Sequence, residues 1–579
     1  MGVKPHGEVV PAPGWRLRKS WIFLSVRRGQ PLAISVTMHC CSPGFWIRCR
    51  TVLPLLALGW VCVACNSDDD RGPVEAPGVD ATCASADAPY PRRLVRLSNS
   101  EMIASLRELA PLANEELPRA FRDPNIPPKP NANLSVSRDF YDQLDGVAVR
   151  VAEAVTTSAR DLTCDVASFG REAGCTEQFV TRFGNRALRG VFMKDDATPL
   201  VELAGRVAAR SGGKAALTIV VRALVLSPKS VYLLEGFDRT PERARAAAPL
   251  SPAEMASYLS FRINGGPPSA AFIEALARLS SPTVESVRAV LSEHFGDESI
   301  RRSASSFLST WLDVPRLSDI ARDEVKHPEN TADYAVQLQR ETYDVLLGFV
   351  AGDAPTFSAL LTRPFRSDHV ADPTSDTFGS VGRPGVLSLP GVLAAASSIN
   401  HTNVPRRGRF ILKSLFCETL PNPPPNAITQ QPPLPETASE RERFERVEQK
   451  AGCGGCHERI NRIAYPFEVY DELGRTRLKD EKDNTLRTDA DHKTQGGAEL
   501  AFRNVSDLMT QAAASDEVRS CFAKQAFRHF ARRDERRASD NCALESGRLR
   551  VAQATATITD VARDTLIRTA LARRGDSSE

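Results

Sequence analysis

The chain has 579 residues, of which 42% are hydrophobic and 25% are charged, which is ordinary for a globular protein with a sizeable core and room for several domains. The 74 lysine and arginine residues nearly balance the 71 aspartate and glutamate residues, so the net charge is only +3. This balance gives no reason to expect nucleic acid or a charged membrane surface as a partner. The short basic clusters at 406–409 and 532–537 are expected to be solvated or to be charges at helix ends.

The first 65 residues have the features of an export signal rather than of a folded domain. Arg48 and Arg50 precede an apolar run, 52–64, which is long enough for a signal peptide but too short to span a bilayer. Small residues before Cys65 and a polar stretch after it resemble a bacterial lipobox, with Cys65 as the lipidated residue. A stretch without targeting features comes first, so we expect translation to start at Met38. A plain cleaved signal peptide is the alternative.

Export to an oxidising compartment affects how the cysteines are interpreted. Two of those that follow Cys65 belong to a motif described below, and an even number remains. We therefore predict three disulfides, although the sequence leaves their connectivity open. The pairs favoured by proximity along the chain, with the last obtained by elimination, are Cys164 with Cys175, Cys521 with Cys542, and Cys83 with Cys417.

Beyond a polar tether, apolar residues recur at helical spacing through most of the chain. The run 215–226 suits a strand or a buried helix, and its Ala, Leu and Val content favours a helix. Ser251 and Glu254 form a capping-box pattern with proline at the first helical position, so a helix is predicted to begin there. The other predicted helices are 139–157, 176–192, 199–210, 269–279, 284–295, 303–312, 331–350, 406–417, 505–513, 517–532 and 556–573.

Breaks in this pattern predict a division into segments. The periodicity is lost between 354 and 390, and 421–435 is a proline-rich linker that cannot hold a helix or an interior strand. The predicted segments are a signal region (1–65), a tether (66–91), an N-terminal helical domain (92–245), a central helical domain (246–350), an irregular region with the linker (351–435), a domain around a cysteine motif (436–500) and a C-terminal helical domain (501–579).

The most informative stretch is Cys453-Gly454-Gly455-Cys456-His457. Two cysteines three residues apart, followed at once by histidine, form the pattern that attaches a c-type haem, because each thiol can take one vinyl group and the imidazole can ligate iron. Chance would produce this pattern roughly 0.005 times in a chain of this composition. The motif predicts one covalent haem c on Cys453 and Cys456, with His457 as the proximal ligand.

Three other interpretations of the motif stay open, namely half of a zinc site, a redox-active disulfide and a vestigial motif. A structural zinc site has a second Cys/His pair at short spacing, and His492, Cys521, His529 and Cys542 do not form one. A thioredoxin-like site lies in a βαβ unit, whereas the charged flanks 440–450 and 458–463 predict helices. Both alternatives are therefore weaker than haem.

A bound haem would have a second axial ligand or an open face. Met509, on the predicted helix 505–513, follows His457 at a separation that suits the methionine ligand of a cytochrome. Its alternative role is that of a core methionine. His401 and His492 are rival ligands, and both also suit loop or surface positions.

Three carboxylates, Glu468, Asp471 and Glu472, closely follow the motif. Paired acids can perform acid–base chemistry, but at this spacing they more often pair with Arg475 or cap a turn. The sequence has no Gly-x-Ser-x-Gly, P-loop, His-Glu-x-x-His or dinucleotide fingerprint. Whether the protein is an enzyme therefore stays open.

A set of short motifs is distributed over most of 92–573. They are Arg92-Arg93-Leu94, the stretch 250–260, Arg407-Gly408-Arg409-Phe410, Leu415-Phe416-Cys417, the motif 453–457, Glu468, Asp471, Gly474, Arg475, Cys521, Gln525 and Phe527. As a set they resemble the planctomycete-type family of exported, cytochrome-like proteins of unknown function, also abundant in myxobacteria, in which uncharacterised domains surround one CxxCH. The resemblance implies an exported, mainly helical protein with a haem, and it implies no particular reaction.

One stretch departs from that family. Its members usually continue after the histidine with Asp-Pro-Ile/Leu-Gly-Phe, whereas residues 461–467 here are Asn-Arg-Ile-Ala-Tyr-Pro-Phe. In cytochromes c a proline carbonyl after the motif commonly accepts a hydrogen bond from the proximal imidazole, which fixes the tautomer. Pro466 is the residue expected to take this role.

The predicted fold is mainly α, with helical segments, Pro-rich linkers and a small cytochrome-c-like CxxCH region near the C-terminus. The leading hypothesis is an exported periplasmic or outer-membrane lipoprotein, anchored through Cys65, that passes electrons between its single haem and a redox partner protein. The alternatives are a haem-dependent oxidoreductase acting on an external substrate and a disulfide-stapled scaffold with a vestigial motif. One haem in so long a chain is a low density for an electron carrier, which keeps both alternatives open.

Overall fold

Helices dominate the part of the chain that the structure describes, as predicted. The structure is a computed structural model that describes residues 89–110, 136–159, 161–237, 247–319, 323, 325–328, 332–368, 383–421 and 435–575. The helices are α1 (Asn99–Leu109), α2 (Arg138–Ser158), α3 (Ala173–Ala187), α4 (Lys194–Val225), α5 (Pro228–Val231), α6 (Pro252–Ile263), α7 (Ala270–Ala277), α8 (Val284–His294), α9 (Asp297–Trp311), α10 (Ala332–Ala351), α11 (Phe357–Thr362), α12 (Pro390–Ala395), α13 (Val404–Phe416), α14 (Glu440–Glu448), α15 (Gly454–Ala464), α16 (Val505–Ala514), α17 (Asp516–Ala531), α18 (Arg537–Ala552) and α19 (Ile558–Leu571). Three 3₁₀ helices, Val314–Asp319, Val386–Ser388 and Tyr465–Val469, add to them.

The strands of the described residues are short and form two-stranded sheets. They are β1 (Tyr90–Pro91), β2 (Arg93–Arg96), β3 (Tyr232–Glu235), β4 (Pro364–Phe365), β5 (Arg383–Pro384), β6 (Ala490–Lys493), β7 (Glu499–Phe502) and β8 (Arg574–Gly575). β1 pairs in parallel with β8, with Tyr90 opposite Arg574, while β2–β3, β4–β5 and β6–β7 are antiparallel. The first described residues therefore lie against the last.

Two large hydrophobic clusters form the interior of the described chain. One is built from buried residues between Leu97 and Phe261, and the other from buried residues between Leu250 and Ala570. Helix α6 contributes to both, and each of its residues from Ala253 to Ile263 is buried. The larger cluster also contains Ile460 and Ile463 of α15, so the helix that begins at the cysteine motif is packed on the main core.

The predicted capping box at the start of α6 is confirmed. The Ser251 hydroxyl accepts from the Glu254 amide at 3.2 Å, and the Glu254 carboxylate accepts from the Ser251 amide at 3.0 Å. The other Glu254 oxygen accepts from the amides of Gly236 and Phe237, both at 2.8 Å. The cap therefore also fixes the turn that follows β3, beyond its usual role in satisfying the first helical amides.

A buried carboxylate joins the two ends of the described chain. Glu235 on β3 pairs with Arg93 on β2 and with Arg262 on α6, both at 3.0 Å, and lies 4.0 Å from Arg574 on β8. Burial alone would raise the pKa of Glu235, but these three guanidinium groups lower it to about 2. The charge of Glu235 is thus maintained inside the protein because three cations surround it.

Two arginines of the basic cluster 532–537 are held in ion pairs. Arg532 pairs with Glu101 of α1, and Arg533 binds the fully buried Asp540 at 2.6 Å. Arg532 lies at the C-terminal end of α17, in line with the helix-end alternative, whereas the solvated alternative fails for Arg533, which is buried.

One predicted disulfide is confirmed, and the other two pairings are corrected. Cys164 is bonded to Cys175. Cys417 is bonded to Cys521, with the Cα atoms 5.3 Å apart, and not to Cys83, which lies outside the described residues. Cys542 is also disulfide-bonded, but not to Cys521. Helix packing explains the correction, because α13 lies against α17 and brings two cysteines together that are 104 residues apart in sequence.

Several helices and strands were not predicted. Within the described residues the chain closes with four helices rather than three, because α18 intervenes between α17 and α19. The region from 354 to 390, predicted to be irregular, contains α11, β4, β5 and a 3₁₀ turn in its described part.

No helix among the described residues has the length and apolar character needed to cross a membrane.

Candidate functional site

The cysteine motif lies at the start of α15. Cys453 occupies the position just before the first helical turn, and Cys456 and His457 lie within the helix. Both thiols are free, Cys456 being exposed and Cys453 half-buried. The other cysteines that the structure describes are disulfide-bonded. Cys453 and Cys456 therefore differ from the other described cysteines in having free thiols that are available for reaction.

Helix α15 is held against α13 by a direct backbone contact. A Cβ atom at Gly408 of α13 would lie 1.8 Å from the carbonyl oxygen of Ile460 and 2.6 Å from its carbon. No side chain fits in that space, so only glycine permits the two helices to approach this closely. Because Ile460 follows His457 by less than one turn, this contact fixes the position of the motif helix.

The two glycines of the motif have different surroundings. A Cβ atom at Gly454 would lie 2.2 Å from the carbonyl oxygen of Glu448, the last residue of α14. At Gly455 a Cβ atom would meet nothing within 4 Å. Gly454 therefore allows the end of α14 to contact the start of α15, whereas Gly455 faces open space.

We expect Gly454→Ala to lower the free energy of unfolding by about 1–3 kcal/mol, the usual cost of overpacking. The matched variant Gly455→Ala should be neutral or should stabilise the protein by up to about 1 kcal/mol, because alanine favours a helix over glycine. Denaturant unfolding followed by circular dichroism measures both. Equal effects of the two substitutions would contradict the α14–α15 contact described above.

The imidazole of the motif is anchored from within its own helix. Nδ1 of the half-buried His457 lies 3.4 Å from Oδ1 of Asn461, which is fully buried. Residues four apart share a helix face, so this contact is local. Among the described residues no hydrogen bond to Nε2 of His457 is present, which leaves that nitrogen available for a ligand.

A buried arginine organises the turn that follows α15. Arg407 of α13 is only 1% exposed and donates to the carbonyl oxygens of Phe467 at 2.9 Å, Tyr470 at 2.6 Å and Asp471 at 2.5 Å. It also lies 3.4 Å from the Glu468 carboxylate. Burial lowers the pKa of Arg407, and Glu468 opposes this change. Arg407 is therefore a structural anchor near the start of α13, so the solvated alternative predicted for the cluster 406–409 fails at this residue.

The acidic residues after the motif are held by cations, and Arg475 is the predicted partner for one of them. Asp471 pairs with Arg475 at 2.6 Å. Glu468 pairs with Arg477 at 3.0 Å in addition to Arg407. These contacts give both carboxylates a structural role in shaping the segment after α15.

Glu472, the third of these carboxylates, is buried and ion-paired. It lies 2.7 Å from the ammonium group of Lys326 and 2.8 Å from Nε2 of His327. Burial alone would raise the pKa of Glu472, but its hydrogen bonds to Lys326 and His327 lower it to about 2. Glu472 therefore remains ionised at neutral pH and links 325–328 to the turn.

The candidates for a second axial ligand lie in different places. Met509 is fully buried in α16 within the main core, and its role as a ligand stays a prediction. His401 is exposed and contacts Asn400. His492 is buried on β6, and burial together with Arg459 and Arg462 lowers its pKa to about 4.

His492 lies on a strand next to the motif helix. Strand β6, which carries His492, packs against α15. Asp491, next to His492, pairs with Arg462 at 2.8 Å. The role of His492 as an axial ligand stays a prediction.

Two predicted features fall outside what the structure describes. Cys65, the predicted lipidation site, and Cys83 both belong to residues 1–88. In the ranges that are described, no group of three or more His, Cys, Asp or Glu side chains is arranged to hold a metal ion.

Comparison with known families identifies two domains in the chain. Residues 250–369 match the family PSD4, described as a protein of unknown function (DUF1592), and residues 383–480 match PSCyt3, described as a protein of unknown function (DUF1588). These are names of planctomycete cytochrome-like families, in line with the resemblance found in the sequence. The second match contains α13, α14, α15 and the turn held by Arg407. No curated protein and no solved structure matches the chain.

Two residues that support the motif were not predicted from the sequence. Asn461 lies next to the imidazole, and Glu448 lies next to Asn461. The four-residue spacing from His457 to Asn461 could have indicated the first contact, because such pairs face the same side of a helix. Glu448 could not be found in this way, since it belongs to the preceding helix.

Proposed function

We propose that the protein is an exported, lipid-anchored, c-type cytochrome-like protein that binds one haem covalently and passes electrons to a redox partner protein. Cys453 and Cys456 would carry the haem, His457 would be its proximal ligand, and Cys65 would carry the lipid. The observation on which this proposal depends is that two free thiols lie beside an imidazole whose Nδ1 is engaged and whose Nε2 is available.

The chemistry of these three side chains fits a haem. Each thiol can add across one vinyl group, with sulfur bonding to one carbon and the proton going to the other, so that a thioether forms without an oxidant or reductant. A neutral imidazole with a free Nε2 is the usual proximal iron ligand. The exposure of Cys456 gives access to the large planar group that must be attached.

The rest of the chain contributes rigidity and orientation. Bound haem would supply reversible one-electron chemistry at this position. Gly408 and Gly454 allow α15 to be held between α13 and α14, and Arg407 fixes the turn beyond it. The motif is thus attached to a helix whose two ends are both anchored.

Other observations support individual parts of this proposal. The described disulfides, Cys164–Cys175 and Cys417–Cys521, are typical of proteins in an oxidising compartment such as the periplasm. The family that matches residues 383–480 has the name PSCyt3, in keeping with a cytochrome-like role for the region that contains the motif.

The spin state of the iron tests whether the protein carries electrons. We expect the matured full-length chain to give a low-spin, six-coordinate spectrum and reversible voltammetry, with Met509 as the proposed second ligand. Met509→Leu nearly conserves the volume of this core side chain and should make the spectrum high-spin. A wild-type protein that is high-spin and binds exogenous ligands would overturn electron transfer as the function and favour a haem-dependent oxidoreductase.

A further inference from the structure

A buried amide connects the motif imidazole to a carboxylate. Asn461 is fully buried, with Oδ1 lying 3.4 Å from Nδ1 of His457 and Nδ2 lying 3.2 Å from Oε1 of Glu448. The amide therefore lies between two groups that come from different helices. Its two ends differ chemically, because one only accepts hydrogen bonds and the other only donates them.

The carboxylate determines how this amide is oriented. An ionised carboxylate can only accept hydrogen bonds, so the NH₂ group of Asn461 must face Glu448. The amide oxygen then faces His457 and requires a proton on Nδ1. A neutral imidazole protonated at Nδ1 has its lone pair on Nε2. The order of donors and acceptors thus selects one tautomer of His457.

Glu448 is itself firmly held. Its Oε1 accepts from the Tyr465 hydroxyl at 2.6 Å, and its Oε2 lies 3.4 Å from Nε of Arg462. Burial and the neighbouring Glu448 carboxylate raise the pKa of Tyr465, so its hydroxyl stays protonated and remains a donor. The carboxylate therefore has donors on both oxygens and keeps its acceptor role toward Asn461.

We infer that Asn461 is a positioning residue that, oriented by Glu448, holds His457 in the Nδ1–H tautomer and directs Nε2 toward the iron of a bound haem. The iron part of this inference depends on the proposed function, whereas the tautomer is a property of the chain without haem. Asn461 thus takes the role expected for Pro466, which lies buried in the 3₁₀ helix that follows.

The tautomer can be measured without any cofactor. Full-length apoprotein with reduced thiols and ¹⁵N-labelled histidines should show His457 as the Nδ1–H form in long-range ¹H–¹⁵N spectra, with its resonances assigned by loss in His457→Gln. Asn461→Leu should give a mixture of tautomers. Tyr465→Phe is the matched control, because it removes one hydrogen bond to the same Glu448 carboxylate without touching the imidazole, and it should leave the tautomer unchanged.

A second variant keeps the positioning role testable if Asn461→Leu does not fold. The double substitution Asn461→Asp/Glu448→Gln exchanges the amide and the carboxylate, so the net charge is kept and Nδ1 of His457 still faces an acceptor, while the hydrogen bond between positions 461 and 448 reverses its direction. The Nδ1–H tautomer should persist in this variant. In haem-loaded protein its reduction potential should fall below that of wild type, because a carboxylate that accepts from Nδ1–H makes the imidazole a stronger donor. Asn461→Leu should raise the potential.

The outcomes separate this inference from the proposed function. An Nε2–H tautomer in the wild-type apoprotein, or a tautomer and potential that do not respond to any change at Asn461, would overturn the positioning role even if haem is attached. If the tautomer behaves as expected but no haem is attached to matured wild-type protein, the positioning role stands and the proposed function fails.

Discussion

Replacing Arg407 by methionine should lower the free energy of unfolding by about 3–5 kcal/mol, the cost typical of breaking a buried ion pair from one side. The substitution leaves the carbonyl oxygens of Phe467, Tyr470 and Asp471 without their donor inside the protein. It also removes one of the cations beside Glu468, whose side chain is only 8% exposed. Chemical denaturation followed by far-UV circular dichroism measures the change.

The same helix provides the control for this prediction. Arg409 is exposed and lies two residues further along α13. Arg409→Met removes the same charge and should change the free energy of unfolding by less than about 0.5 kcal/mol, as is usual at the surface. If both variants unfold at the same denaturant concentration, Arg407 does not organise the turn after α15.

Alanine at position 408 should separate α13 from α15. A Cβ atom cannot exist 1.8 Å from the carbonyl oxygen of Ile460, so one helix must move. We expect Gly408→Ala to destabilise the protein by about 3 kcal/mol, at the upper end of overpacking costs. Because the displaced helix begins with the motif, we also expect less haem to be attached during maturation than in the wild type.

Gly348→Ala is the matched control for Gly408→Ala, because it also replaces a helical glycine by alanine. Gly348 lies exposed in α10, and a Cβ atom there would meet nothing within 4 Å. Gly348→Ala should be neutral or stabilising by up to about 1 kcal/mol, with haem attachment unchanged. Wild-type stability and haem content in Gly408→Ala would rule out the close backbone contact between α13 and α15.

Local pattern was sufficient to predict most of the helices. The predicted helices 139–157, 331–350 and 505–513 agree closely with α2, α10 and α16, because apolar residues at helical spacing define a buried face without knowledge of its partner. α18 was missed since its sequence is largely polar and lacks that spacing. It packs on α17 and α19, and these are contacts between elements that periodicity does not describe.

The residues of the candidate site could be proposed where they are local in sequence, and they were missed where they depend on distant residues. Cys453, Cys456 and His457 lie within five consecutive positions, so their proposal as haem-attachment residues needed no structural information. The roles of Arg407 and Glu448 depend on which backbone carbonyls and amides the fold brings to them. The Cys417–Cys521 disulfide was missed for the same reason. A disulfide joins cysteines that are neighbours in space, whereas the prediction relied on their distance along the chain.

The most direct measurement is a pyridine haemochrome spectrum of the full-length protein, coexpressed with a cytochrome c maturation system and compared with Cys453→Ala/Cys456→Ala. A covalent haem on these two thiols predicts a c-type α-band that survives denaturation in the wild type and is absent from the double variant. Matured wild-type protein without haem, or haem retained by the double variant after denaturation, would contradict the assignment of the motif as a haem-attachment site.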